Sequence, residues 1–253
     1  MLSSYAMTDV GKTRAVNQDY VFSCLEPIGN LPNLFIVADG MGGHQAGDFA
    51  SSYSVKKFLE SVSLSLQKNP HKIFEDAIRY ANRELIEKSK ENPALKGMGT
   101  TMVALTIVGE KAYVANVGDS RLYLLEDELV QITEDHSLVQ EMVKLGELSR
   151  EGARIHPDKN IITRAVGAGR DVHADAFEFP MSKKSRILMC SDGLSNMVED
   201  AQLSQLLRSG KTPEKIGRKL IETANKNGGK DNIAVIVIDC SCRETFNSNS
   251  GEV

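Results

Sequence analysis

The sequence of 253 residues predicts an α+β fold, in which strands and helices come in separate blocks along the chain. Two observations support this prediction. Apolar, β-branched runs bounded by Gly, Pro and Asn follow one another in groups, and long helical patterns stand between those groups. Because helices do not alternate singly with strands, a doubly wound parallel sheet is disfavoured.

Three short strands and two helices are predicted in the first part of the chain. Strands are expected at residues 2–8, 20–24 and 34–38, and a first helix at about residues 47–66. A second helix begins after Asn69, because an N-cap residue followed by proline at the first helical position is a helix start signal. Its apolar residues recur at helical spacing, which assigns that face to the core.

The middle of the chain is predicted to form a β-meander. Its strands are expected at residues 101–108, 111–117, 121–125 and 129–132, and their short turns predict antiparallel pairing. From residue 133 to residue 164 the strand pattern stops, with short helical pieces at residues 137–145 and 149–153. We interpret this segment, the flap, as a mobile surface excursion with Gly146 and Gly152 as hinges.

Strands return in the last third of the chain, at residues 174–179, 186–191 and 232–239. Helices are expected between the last two of them, at residues 200–208 and, capped by Thr212, at residues 214–226. Residues 1–240 are therefore predicted to be one domain. The polar residues 241–253 are predicted to be a disordered tail.

Composition and charge exclude several classes of protein. The formal net charge is −4 and the basic residues are scattered, so a nucleic-acid-binding surface is not expected. No apolar run approaches the roughly 20 residues of a membrane span, and the first residues lack the basic and apolar regions of a signal peptide. The 4 cysteines form no CxxC pair, as is usual in a reducing compartment. We expect a cytoplasmic protein that does not insert into membranes and acts as a monomer.

Three acidic residues stand beside glycines or strand ends. Asp39 and Asp192 each follow an apolar run, and Asp231 precedes another. If these carboxylates converge, each pair at about 4 Å costs on the order of 4 kcal/mol at an effective dielectric of about 20, so cations or raised pKa values are needed. Bound cations are the simpler interpretation. Because no Cys or His stands at matching spacing, the sequence favours Mg²⁺ or Mn²⁺ over zinc.

Six short motifs occur in order over about residues 1–240. They lie at residues 14–19, 39–44, 97–101, 117–121, 191–193 and 230–232. Together they resemble the motifs of the metal-dependent type 2C serine/threonine protein phosphatases, and the variant at residues 41–44 resembles the bacterial branch. The resemblance implies a four-layer αββα sandwich, with two stacked antiparallel sheets flanked by helix pairs and a metal pair in a cleft at one edge.

The resemblance also implies the metal ligands. Asp39 would bridge two Mn²⁺ or Mg²⁺ ions, the second of which binds the Gly40 carbonyl. Asp192 and Asp231 would hold the first ion. A weak third ion is expected between Asp119 and Asp192, although a β-turn acid is the simpler interpretation of Asp119 alone. Two such ions would lower the pKa of a shared water, so that a metal-bridging hydroxide attacks phosphorus directly.

Three further residues are candidates for catalysis by the same resemblance. Arg14 would clamp the substrate phosphate with its planar guanidinium, and Asp19 would orient the metal-bound water. Without the resemblance, a surface arginine and a turn residue are the simpler interpretations. His44 is a candidate general acid because its unperturbed pKa is near 6.5. Animal-type members carry histidine directly after Asp-Gly, where this chain has Met41, so a structural role for His44 stays open.

The implied function is hydrolysis of phosphoserine and phosphothreonine in proteins, in opposition to a bacterial Ser/Thr kinase. Phosphorylated proteins, including that kinase and its substrates, are the expected partners, and the flap is expected to help select them. Two alternatives stay open. The first is an inactive phosphatase-like domain that binds phosphoproteins, which the full set of metal acids argues against. The second is a phosphatase for small phosphorylated metabolites.

Overall fold

Two antiparallel sheets form the centre of the computed structural model, which describes residues 2–43 and 46–240. The strands are β1 (Ser3–Asp9), β2 (Asp19–Cys24), β3 (Leu34–Met41), β4 (Gly99–Thr100), β5 (Met102–Val108), β6 (Lys111–Val117), β7 (Arg121–Leu125), β8 (Leu129–Gln131), β9 (Asp175–Pro180), β10 (Arg186–Cys190) and β11 (Ile233–Asp239). The helices are α1 (Ala46–Leu64), α2 (Pro70–Glu91), α3 (Leu138–Lys144), α4 (Arg150–Ile155), α5 (Asp192–Ser195), α6 (Asp200–Leu207) and α7 (Pro213–Lys226). The candidate His44 and the predicted tail at residues 241–253 lie outside the described residues.

Each sheet combines strands that are distant in sequence. The first sheet has the strand order β1-β11-β10-β7-β8. The second sheet has the order β2-β3-β5-β6-β9, with β4 paired to β3. Neighbouring strands run antiparallel in both sheets.

Helices cover the outer face of each sheet. α1 and α2 pack on the second sheet through a buried cluster that includes Phe58 and Phe74. The helices α5, α6 and α7 pack on the first sheet through a cluster that includes Leu203 and Leu220. Side chains from both sheets fill the space between them. The result is the four-layer αββα sandwich that the resemblance implies, and that prediction is confirmed.

The central strands are buried on both faces, which explains their continuous apolar sequences. In β3, Leu34 and Ile36 face the helices, whereas Phe35 and Val37 face the other sheet. All residues of β11 are buried in the same alternating way. A strand covered on both sides shows no alternation of apolar and polar residues. The polar residues Asp39, near the end of β3, and Asp231, just before β11, flank these apolar runs.

The predicted four-stranded meander is wrong. β5 pairs with β6 in the second sheet, whereas β7 pairs with β8 in the first sheet. The turn between β6 and β7 therefore crosses from one sheet to the other instead of closing a hairpin. Gly118 in this turn has a φ of +105°, and a Cβ there would lie 2.5 Å from the Thr101 side chain. Only glycine lets the chain change sheets at this point.

Most other predicted elements are confirmed, with small shifts at their ends. The caps are as expected: Asn69 Oδ1 accepts from the His71 amide, and Thr212 Oγ1 accepts from the Lys215 amide. Two short elements, β4 and α5, were not predicted, because they are too short to show the hydrophobic periodicity of a strand or a helix. None of the helices in the described residues is both long and apolar enough to cross a membrane.

We expect Gly193→Ala to lower the free energy of unfolding by about 1–3 kcal/mol, the usual cost of added volume in a packed site. A Cβ at Gly193 would lie 1.9 Å from the backbone oxygen of Asn232, so α5 and β11 would have to move apart. Gly169→Ala is the matched control, because the nearest atom to a Cβ there is 3.7 Å away. Urea unfolding compares the two variants, and equal stabilities would contradict this close packing.

Candidate active site

Carboxylates carried by both sheets meet at one end of the sandwich. Asp39 lies in β3 directly opposite Asp19 of β2. Asp192 begins α5 just after β10, and Asp231 lies just before β11, the neighbour of β10. Asp39 interacts electrostatically with the four other acids of the cleft, which are Asp19, Asp119, Asp192 and Asp231. The structure thus brings together the acidic residues that the sequence singled out.

Burial and mutual repulsion raise the pKa values of four of these carboxyl groups. Burial, followed by the charges of the other acids, raises the pKa of Asp39 and of Asp119 well above the usual value. Burial also raises the pKa of Asp19 to about 8 and that of Asp192 to about 6. Such a cluster takes up protons or cations far more readily than isolated surface carboxylates do.

Two threonines hold the backbone of Asp39. Its amide donates to Thr101 Oγ1 at 2.9 Å, and its carbonyl accepts from Thr100 Oγ1 at 2.9 Å. Thr101 Oγ1 also lies 2.7 Å from Ser120 Oγ, in the turn that carries Asp119. The motif at residues 97–101 therefore joins two acidic positions of the cleft through buried hydroxyl groups.

Gly40 is closely packed between the N-terminal loop and α1. Its amide donates to Gln18 O at 3.0 Å, and a Cβ on it would lie 2.0 Å from Gly47 O. Ser51 Oγ of α1 donates to the same Gln18 oxygen at 2.7 Å. Glycine is required here by packing alone, so the ion-binding role of its carbonyl stays a prediction.

Asp19 is the most enclosed of the acids, with 7% of its surface exposed. Its Oδ2 accepts from Ser191 Oγ at 2.7 Å, and Ser191 Oγ accepts in turn from the Ala234 amide at 2.9 Å. Its Oδ1 is buried and finds no hydrogen-bond partner within the described part of the chain. A buried polar atom of this kind points to a water or an ion as its partner.

Arg14 lies beside Asp231 at the mouth of the cleft. Its Nη2 donates to Asp231 Oδ2 at 2.8 Å, while Asp231 Oδ1 accepts from the Asn232 amide at 2.8 Å. The Asp231 hydrogen bond and charge raise the pKa of the Arg14 guanidinium. About half of the Arg14 side chain is exposed, so a substrate group can reach it.

Asn232 is a positioning residue that the sequence reasoning missed. Its Nδ2 donates to the carbonyls of Val10 and Val16, each at 2.9 Å. Its Oδ1 accepts from the Gln18 amide at 2.9 Å. One buried side chain thus fixes the loop that carries Arg14 to the strand that follows Asp231. The sequence contained an indication of this role, because a polar Asn directly before a buried strand needs hydrogen-bond partners.

The turn of Asp119 is held by the start of the flap. His136 Nδ1 accepts from the Gly118 amide at 3.0 Å, and the His136 amide donates to Gly118 O at 3.0 Å. Asn116 Nδ2 donates to Glu134 O at 3.1 Å. His136 is 3% exposed, so its role here is structural, in line with the absence of any catalytic prediction for it.

The flap carries α3 and α4 and is closed at its base by a bridge between Ser137 and Ile162. A cavity of about 610 Å³ lies between the flap and the first sheet, and its walls include Asp119, Asp192 and Arg154. This cavity continues the carboxylate cleft along the flap. The sequence prediction of a surface excursion beside the cleft therefore agrees with where these side chains lie.

The donor set of the cleft fits Mg²⁺ or Mn²⁺, because every candidate donor is an oxygen. The unpartnered Asp19 Oδ1 is an atom that a hydrated ion can satisfy. Within residues 2–43 and 46–240, no group of three or more His, Cys, Asp or Glu side chains is already arranged to hold an ion. Asp231 accounts for part of this, since both of its oxygens have protein partners. Mg²⁺ needs only one or two carboxylates, because it keeps several waters.

Known proteins resemble this chain over nearly its whole length. The model of the protein phosphatase 2C family matches residues 11–236. The serine/threonine phosphatase stp of Listeria monocytogenes serotype 4b (strain F2365) is 40% identical over 237 residues, which cover 92% of this chain and 93% of that protein.

Solved structures agree with this relationship. The S. agalactiae serine/threonine phosphatase superposes with a TM-score of 0.87 at 35% identity, covering 94% of this chain and 99% of that one. The catalytic domain of the serine threonine protein phosphatase PstP, in complex with 2 manganese ions, has a TM-score of 0.83 at 33% identity and covers 94% of this chain and 97% of its own. The chain belongs to the protein phosphatase 2C family, as a bacterial-type serine/threonine protein phosphatase.

Proposed function

We propose that this phosphatase hydrolyses phosphoserine and phosphothreonine in proteins with two Mn²⁺ or Mg²⁺ ions in the carboxylate cleft. The observation that carries the proposal is the convergence of buried acids whose pKa values are raised by burial and by one another. Cations are the natural partners of such a cluster. The relative PstP, which binds two manganese ions, supports the same number of core ions.

Each acid has a proposed place in this site. Asp39 would hold both core ions, the Gly40 carbonyl would bind the second ion, and Asp192 and Asp231 would hold the first. Asp119 would share Asp192 with a third, weakly held ion, and Asp119 interacts electrostatically with Asp192 as this requires. When bound, the ions neutralise phosphoryl charge and make water a better nucleophile.

The remaining candidates bind the substrate or handle a proton. Arg14 would bind two phosphoryl oxygens with its fork of N–H donors. Asp19 Oδ1, buried and without a partner in the described residues, would accept a hydrogen bond from the attacking water. His44 is kept as the candidate general acid.

The partners and setting follow from the same proposal. A Ser/Thr kinase of the same cell and its phosphorylated substrates would be the partners, and the flap beside the cleft would help to select them. The 610 Å³ cavity supports this role, because its walls include flap residues together with Asp119 and Asp192 of the cleft. A cytoplasmic monomer remains the expected form.

We expect Asp39→Asn and Asp231→Asn each to lower phosphopeptide turnover by roughly 100-fold or more, since each removes a charge that holds an ion. Both variants should stay folded. The measurement is steady-state hydrolysis of a phosphothreonine peptide after chelation, with and without added Mn²⁺. Asp127→Asn is the control, because this exposed acid lies in the turn between β7 and β8, away from the cleft.

Undiminished turnover in excess chelator would contradict the metal-dependent mechanism. The same assay with a panel of phosphorylated metabolites separates the two substrate classes. Faster hydrolysis of a metabolite than of the phosphopeptide would favour the alternative of a small-molecule phosphatase.

We expect Arg14→Ala mainly to raise KM for a phosphopeptide and to weaken inhibition by inorganic phosphate. Arg14→Lys should recover only part of the affinity, because an ammonium group does not bind two oxygens in a fork. Steady-state kinetics and a Mn²⁺ titration test the assignment together. A lower number of bound ions with an unchanged KM would show that Arg14 serves Asp231 and not the substrate.

A further inference from the structure

The helical turn that presents Asp192 is also the place where the flap is fastened to the body of the protein. Arg154 Nη2 donates to Ser195 O at 3.1 Å. Lys159 Nζ donates to Asn196 Oδ1 at 2.9 Å. Both donors belong to the flap, and both acceptors lie at the end of α5. The flap is therefore attached to the very helix that begins with a proposed ion ligand.

Asn196 joins this attachment to the carboxylate of Asp192. Its Nδ2 donates to Asp192 Oδ2 at 2.9 Å, while its Oδ1 accepts from Lys159. The oxygen and the nitrogen of one planar amide cannot turn independently of each other. The contact with Lys159 consequently also fixes the direction in which the amide N–H points towards Asp192.

The hydrogen bond to Oδ2 has a consequence for ion binding. It restrains the rotation of the Asp192 carboxylate and uses Oδ2, so that Oδ1 is the oxygen this contact leaves available to an ion. Groups that orient a metal ligand in this way typically change metal affinity by about 10–100-fold when they are removed. Asn196 occupies that position towards Asp192.

The position of Lys159 is not explained by simple attraction to Asp192. Its nitrogen contacts the amide of Asn196, whereas an unguided lysine would contact the carboxylate itself. Burial lowers the pKa of Lys159, the charge of Asp192 offsets part of this effect, and the nearby charges of Arg154 and Lys230 lower the pKa further. Lys159 therefore acts on Asp192 both through its charge and through the amide of Asn196.

We propose that Lys159 and Asn196 are positioning residues that couple the flap to the metal centre. Lys159 sets the amide of Asn196, and Asn196 sets the carboxylate of Asp192. The proposal rests on the proposed function in one respect, that Asp192 is an ion ligand. By linkage, ion binding at Asp192 then favours the fastened flap, and release of the flap weakens ion binding by the same factor.

Calorimetric titration of the substrate-free protein with Mn²⁺ tests this coupling. We expect Asn196→Ala to weaken Mn²⁺ binding by about 10–100-fold and Lys159→Met to weaken it by about 10-fold. Lys159→Arg keeps a cationic donor and should restore most of the affinity. Lys144→Met is the matched control, because Lys144 pairs with Glu134 inside the flap and does not contact α5. Its Mn²⁺ affinity should equal that of the wild type.

Hydrogen exchange of α3 and α4 gives a second readout that needs no turnover. We expect Mn²⁺ to slow exchange in the wild type and in Lys144→Met, and to have no such effect in Lys159→Met or Asn196→Ala. Because Lys159 lies on the surface segment of the flap, its variant should fold even where Asn196→Ala does not.

Two results would overturn the coupling. Unchanged Mn²⁺ affinity in Lys159→Met would show that the flap contact does not reach Asp192. Tighter binding would show that Lys159 acts only as a nearby positive charge. Both results leave phosphopeptide hydrolysis by the wild type intact, whereas a wild type that binds no Mn²⁺ would overturn the proposed function together with the coupling.

Discussion

Five acidic side chains share one cleft, and their mutual repulsion is the constraint on which the rest of this site depends. At about 4 Å and an effective dielectric of about 20, each like-charged pair costs on the order of 4 kcal/mol. Arg121 and Lys159 offset only part of this cost, because the pKa of Asp192 near them is still raised to about 6. Arg14 pairs with Asp231 at the exposed mouth, and the enclosed acids instead have raised pKa values.

Apart from Arg14, which pairs with Asp231, the groups described above that hold these acids in place are neutral. Hydroxyl groups of Thr100 and Thr101 fix the backbone of Asp39, and Ser191 binds Asp19. The amides of Asn196 and Asn232 fix the surroundings of the two acids on the first sheet. Neutral hydrogen bonds orient a carboxylate without cancelling its charge, so the cluster keeps its attraction for cations.

Close backbone contacts also help to hold the acids in place. A Cβ on Gly40 or on Gly193 would collide with a neighbouring backbone oxygen, so glycine at these positions lets α1 and α5 approach the strands. The helices therefore lie directly against the acidic strand ends. The crossing at Gly118 brings Asp119 from the second sheet to the first, and this single turn closes the cleft on the flap side.

Much of this arrangement was predictable from the sequence. The continuous apolar runs and the helix caps predicted most strands and helices. The resemblance carried by the ordered motifs implied the four layers and the acidic residues of the site. The crossing at Gly118 was not predictable, because a short turn between strands buried on both faces fits either sheet equally well. Asp39 was expected after its strand, yet β3 continues to Met41, since pairing with β4 extends it.

The contacts that couple distant segments escaped prediction for a different reason. Asn232 with Gln18, and Lys159 with Asn196, are far apart in the sequence and belong to no periodic pattern. Such contacts form only where two loops pack against each other, so they can be identified only from the folded structure. The proposed ion ligands were therefore easier to identify than the neutral residues that contact them.

The most direct test of this account is the free energy of unfolding of the wild type and of Asp39→Asn in chelator and in Mn²⁺. Without ions, the folded state must bury repelling charges, so Asp39→Asn should be more stable than the wild type by more than about 1 kcal/mol. The stability of the wild type should also fall from pH 5 to pH 8, because the raised pKa values of Asp19 and Asp192, about 8 and about 6, mean that the folded state binds more protons than the unfolded state. In saturating Mn²⁺, the wild type should instead have the larger free energy of unfolding. A chelated Asp39→Asn protein that is less stable than the wild type would contradict the account.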